Sequence, residues 1–159
     1  MQFLYLLLTV LIAGSKSSPM PSEKITTHAI RLKPGQDLKN EIETLVKEKK
    51  IQAGWISTCV GSLTNYNIRF ANQPEGSKGE GHFEVVSLVG TVSINGSHIH
   101  ISISDSTGKT IGGHLLDGCK VYTTAEIVIT ETDKYKFTRE KDGSTPWEEL
   151  KVKEVKEDE

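Results

Sequence analysis

Histidine is the residue type to follow first, because neutral imidazole is the commonest protein metal ligand. Three of the five histidines crowd into the run Ser97-His98-Ile99-His100-Ile101-Ser102-Ile103-Ser104-Asp105-Ser106-Thr107-Gly108-Lys109-Thr110-Ile111-Gly112-Gly113-His114. Strand side chains alternate between faces, so His98 and His100 share one face while Ile99, Ile101 and Ile103 point to the other. Asp105 to Lys109 reads as a hairpin loop in which Gly108 supplies a positive φ. Counting outward from an Asp105–Lys109 pair sets His100 directly opposite His114. Cross-strand partners stand about 4.5–5.5 Å apart at Cβ, so three imidazoles would converge from two strands. That is the donor set of a three-histidine metal centre, with zinc the leading ion and a fourth position open to water. A slip of one residue moves His114 to the opposite face and removes the site. The same alternation also fits a solvated polar sheet face that binds nothing.

Other chemistry is sparser. In Gly81-His82-Phe83-Glu84, Glu84 is the catalytic candidate, as a carboxylate that completes coordination or acts as general base. His28 and His82 show no informative spacing. Glu126, within Thr124-Ala125-Glu126-Ile127-Val128, reads as an outward or edge position on a strand. Gly112-Gly113 lacks the phosphate-loop spacing and reads as a close backbone approach or a bulge. Nothing beside Cys119 would lower its pKa, so it is not read as a nucleophile.

These residues must be positioned by strands. Residues 25–32 read as a first strand, stopped by Pro34-Gly35. Over 37–49, Leu38, Ile42, Leu45 and Val46 mark an amphipathic helix, acidic early and basic late as the helix dipole favours. Two strands are expected over 55–61 and 66–71, separated by residues 62–65, followed by a loop over 72–81. Residues 83–138 are almost continuous strand material rich in Val, Ile, Thr and Ser. One helix before a series of strands, with no regular β-α alternation, predicts an α+β fold: a mostly antiparallel twisted sheet with one main amphipathic helix.

The expected organisation is a signal peptide over 1–18, a domain over 25–140 and a charged, solvated tail over 141–159. The apolar run over 3–13 is too short to span a bilayer, which needs about 20 residues. It fits a secretory leader, and hence a secreted protein with no stable membrane span after cleavage, although the basic flank of such leaders is missing. A retained anchor is the competing reading. Cys59 and Cys119 fit either a disulfide or two buried thiols. Asn95-Gly96-Ser97 matches a glycosylation sequon and also a tight hairpin turn. A net charge of −2 disfavours a nucleic-acid partner bound through a basic surface.

Taken in order, several motifs resemble one family. They are Gly61-Ser62-Leu63 with Tyr66-Asn67-Ile68-Arg69, Gly81-His82-Phe83-Glu84-Val85-Val86-Ser87-Leu88-Val89-Gly90, His98-Ile99-His100-Ile101-Ser102, Gly112-Gly113-His114-Leu115, Gly118-Cys119-Lys120-Val121 and Thr124-Ala125-Glu126. The series is similar to the plants and prokaryotes conserved domain, the PPC domain, over roughly residues 27–138. The resemblance implies an α+β antiparallel sheet assembled as a homotrimer, similar to the acetolactate decarboxylase-like fold. It also implies a prokaryote-like member without an AT-hook, in which His98, His100 and His114 take positions associated with a metal, expected to be zinc. A small-molecule ligand is the expected partner. Three readings of function follow: a non-enzymatic interaction or ligand-binding module, a metal-dependent lyase or ester hydrolase, and, least favoured by charge, a DNA-associated protein.

Overall fold

A computed structural model describes residues 22–156. The expected leader lies outside these residues. No helix among the described residues is long and apolar enough to cross a membrane.

The chain forms β1 (Ile25–Leu32), α1 (Leu38–Lys49), β2 (Gly54–Arg69), β3 (Ser77–Val92), β4 (His98–Ser104), β5 (Thr110–Leu115), β6 (Lys120–Thr132), β7 (Tyr135–Glu140) and β8 (Glu149–Glu154). The first six strands make one sheet in the order β1-β6-β2-β3-β4-β5, and every pairing is antiparallel. The far end of β2 also pairs with β5, through Ile68 opposite Leu115 and Arg69 opposite His114, so the sheet curls back on itself. This is the α+β, mostly antiparallel architecture that the sequence predicts.

Helix α1 forms where its apolar period dictates. Asp37 caps it by accepting the amide of Asn40 at 3.2 Å, and Lys50 closes it in the left-handed region at φ 56°. Its apolar stripe, Leu38, Ile42, Leu45 and Val46, is buried in one cluster with Leu63, Leu88, Ile99, Ile101, Ile103, Ile127 and Ile129. The odd-numbered residues of β4 therefore face the core, and His98 and His100 face away from it.

Three expectations need correction. Residues 54–69 form one strand rather than two, because a bulge between Leu63 and Asn65 absorbs the irregularity without breaking the ladder. Strand β3 starts at Ser77, so the loop expected over 72–81 is shorter; Gly79 and Gly81 lie within the strand. The tail is charged and largely exposed but carries an unexpected strand: Glu149–Glu154 pairs with Tyr135–Glu140 as a separate two-stranded ribbon. Lysines of β8 hold Glu140 of β7, with Lys151 Nζ at 2.8 Å and Lys153 Nζ at 3.4 Å.

Candidate metal centre

Strand β4 delivers His98 and His100, and the Asp105–Lys109 hairpin returns the chain so that His114 on β5 stands opposite His100. Gly108 takes φ +83° at the hairpin, and Asp105 Oδ1 accepts the amides of Thr107 and Lys109 at 2.8 and 3.1 Å. These bonds fix the register on which the histidine cluster depends. Gly113 lets β5 approach β2 closely: a Cβ there would stand 2.5 Å from the carbonyl oxygen of Arg69.

Three ring nitrogens meet. His98 Nε2 lies 3.2 Å from His100 Nε2 and 3.1 Å from His114 Nδ1, and the last two are 3.2 Å apart. A neutral ring nitrogen is either an N–H donor or a lone-pair acceptor. One proton points along one edge of such a triangle, so the other contacts set lone pair against lone pair. A cation in the middle relieves that repulsion. Zinc–nitrogen bonds of about 2.0–2.1 Å in a tetrahedral site require nitrogens about 3.3 Å apart, so the three side chains fit such an ion. The environment also keeps His114 and His98 in the ligating form. Burial, then the neighbouring Arg69, His100 and His98, bring the His114 pKa down to about 4. Burial and the charges of His100 and Arg139 likewise lower that of His98. Three histidines of this face are thus the described residues that could hold a metal.

Glu84 is not part of the cluster. It lies opposite Ser104, four residues along β4 from His100, which is about 13 Å at the usual strand rise. Glu126 is exposed, as an outward strand position should be. His28 instead contacts Glu131, with Nε2 2.7 Å from Oε1, and His82 packs on the Tyr122 ring at 4.2 Å. Cys59 and Cys119 are free thiols, each pushed up to about 11 chiefly by burial. In the turn joining β3 to β4, Gly96 has φ +124° and the Asn95 side chain donates to the Phe137 carbonyl at 2.9 Å, tying the turn to the ribbon.

Beside the triad runs an open groove of about 990 Å³, walled by the sheet on one side and the ribbon on the other. Its lining includes His98, His114, Arg69, Arg139, Trp147 and Glu149. The last four were missed in the sequence. Reading the tail as solvated hid Trp147 and Glu149, although the alternation of Leu150 and Val152 with charged residues was a legible strand signal.

A curled antiparallel sheet with a helix in its core cluster and an imidazole triad on its outer face defines a small α+β domain with a candidate metal centre. The chain belongs to the Plants and Prokaryotes Conserved (PCC) domain family, whose sequence model matches residues 21–133. It is 38% identical over 145 residues to a bifunctional protein GlmU of Synechococcus sp., a match that covers 91% of this chain and 23% of that protein. The chain therefore spans under a quarter of that relative's length. A solved structure of a hypothetical protein from Salmonella cholerae-suis superposes with a TM-score of 0.81 at 36% identity, covering 84% of this chain and 97% of that one. A metal-containing protein from Archaeoglobus fulgidus superposes with a TM-score of 0.67 at 27% identity, covering 81% of this chain and 97% of that one.

Proposed function

We propose that this protein is a ligand-binding domain that holds one divalent transition-metal ion, preferentially zinc, on His98, His100 and His114, and that it works as a homotrimer. The observation that carries the metal is the mutual 3.1–3.2 Å spacing of three imidazole nitrogens on one sheet face. The metal-containing archaeal relative supports it. When bound, the ion would supply Lewis acidity beside the groove. That placement favours a role in which the ion is one contact to a small molecule and the groove walls supply the others.

Self-association is supported by exposed valines on the central strands, and a count of three by the family resemblance. Val60 on β2 and Val86 and Val89 on β3 are 60, 60 and 54% exposed, and Val89 lies opposite His100. Apolar side chains grouped on a sheet face mark an association surface. A net charge of −2 argues against DNA as a partner held through a broadly basic surface.

Elemental analysis of protein purified without chelator tests the metal. Native protein should carry about one ion per chain, and a His98→Ala/His100→Ala variant should carry none; equal contents would refute the site. Light scattering on the same samples tests the assembly, and a monomer at micromolar concentration would refute the trimer.

A further inference from the structure

Two guanidinium groups flank the imidazole triad, one on each side. Arg69 is the cross-strand partner of His114, where β2 meets β5. Arg139 reaches across from β7 and donates to Thr91 Oγ1 at 2.7 Å, and Thr91 is the cross-strand partner of His98. Both line the groove. Each is oriented by contacts to neutral groups, with Glu149 acting on Arg139 only through space. The Arg69 guanidinium sits 5.6 Å from the centre of the Trp147 ring and donates from Nη1 to the Gln73 carbonyl at 3.5 Å. Gly96 leaves room for Arg139, since a Cβ at that position would stand 3.1 Å from Arg139 Cγ. Among the described residues neither guanidinium forms an ion pair, whereas Lys39, Lys120, Lys134, Lys151 and Lys153 all do.

A guanidinium is always charged, and its planar fork of N–H donors matches the two oxygens of a carboxylate. Two such forks beside the imidazole triad present the complement of an anionic group. Glu148 and Glu149 line the same groove and offset part of the arginines' charge, so a monoanion such as a carboxylate balances what is left.

We propose that the groove binds a small organic carboxylate, its carboxyl group held by Arg69 and Arg139 and its body lying against Trp147. This deepens the metal-centre reading and rests on it for the ligand's second contact, an oxygen at the ion. The probe is phenyllactate, with its neutral amide as control, titrated by calorimetry into the zinc-loaded full chain and the zinc-depleted chain. The same titrations are run on Arg69→Gln, Arg139→Gln and Arg139→Lys variants, with zinc content and melting temperature measured on every sample. Phenyllactate should bind the loaded chain at least tenfold more tightly than its amide. Each glutamine variant should lose at least tenfold in affinity at unchanged zinc content, and Arg139→Lys should recover only part, because lysine restores charge without the fork. Acid and amide binding alike, no phenyllactate binding, or unaltered affinity in folded variants would overturn the proposal and leave the metal centre standing. Zinc missing from the native chain would instead overturn the metal reading; the arginine dependence measured on the zinc-depleted chain then decides the carboxylate site by itself. If Arg69→Gln fails to fold, the acid–amide comparison and the Arg139 pair carry the test.

Discussion

Replacing Gly113 with alanine should damage the metal centre without touching a ligand. The added Cβ would lie 2.5 Å from the Arg69 carbonyl oxygen, 3.1 Å from Ile68 Cγ2 and 3.2 Å from the Arg69 carbonyl carbon. Two of these neighbours are backbone atoms of β2, so no rotamer change relieves the overlap. Ordinary contact begins near 3.4 Å, and β5 must therefore retreat from β2 by about 0.9 Å, at the roughly 1–3 kcal/mol typical of overpacking. His114 follows Gly113 directly and moves with the strand. Metal–ligand distances tolerate only about 0.2 Å, so a displacement several times larger should weaken zinc binding at least tenfold. Competition against a chromophoric chelator measures the affinity, and urea unfolding measures the stability. Gly35→Ala, in the turn before α1, is the control. It carries a positive φ of +82° and has nothing within 4 Å of the new Cβ, so it should lose about 1–2 kcal/mol of stability to backbone strain and keep its zinc. If Gly113→Ala unfolds at the native urea midpoint and holds zinc as tightly as the native chain, the close β2–β5 approach does not position His114.

Asp37→Ala should destabilise the fold by about 1–3 kcal/mol in urea titrations. The carboxylate caps α1 through Asn40 and also accepts the Gly118 amide at 2.7 Å, leaving a half-buried donor without its partner when it is removed. Native Cys59 and Cys119 should resist iodoacetamide at pH 8 and react quickly once the chain is unfolded, because burial holds both thiols at about 11; rapid alkylation of folded protein would contradict this. The Lys151 hydrogen bond, with Thr138 and Lys153, lowers the Glu140 carboxyl to about 2 from an ordinary value of 4.5. A carboxyl depressed in the folded state stabilises it fully above the ordinary value and loses that contribution as pH falls toward the depressed one. Amide exchange in β7 and β8 should accordingly quicken between about pH 4.5 and 2, less so in high salt, which screens these exposed pairs. Exchange independent of pH in that window, after correction for intrinsic rates, would refute the coupling.

The histidine triad was legible because a single local device sets it. Asp105 and Gly108 define a short hairpin, and once its ends are paired the alternation of β4 places every side chain through His114. The helix was legible for a similar reason, with Asp37 before it and a 3.6-residue apolar period along it. What escaped depended on contacts between distant segments. Arg69 meets His114 only because β2 curls far enough to pair with β5, a consequence of sheet twist that no short window contains. Arg139, Trp147 and Glu149 join the groove only because a lysine- and glutamate-rich tail folds back as a ribbon, and its high charge masked a two-residue apolar alternation. Glu84 was the reverse case: its neighbouring motif suggested proximity, but its register opposite Ser104 carries it along the strand and away from the triad.

The ribbon also divides the molecule's labour. The buried cluster draws on no residue after Ile129, and the family match stops at residue 133, just before β7 begins at Tyr135. The triad thus lies within the family match, while one wall of the groove comes from a ribbon beyond it that adds nothing to the buried cluster. Substitutions in the ribbon should therefore reshape that wall at less cost to folding than substitutions in the six-stranded sheet.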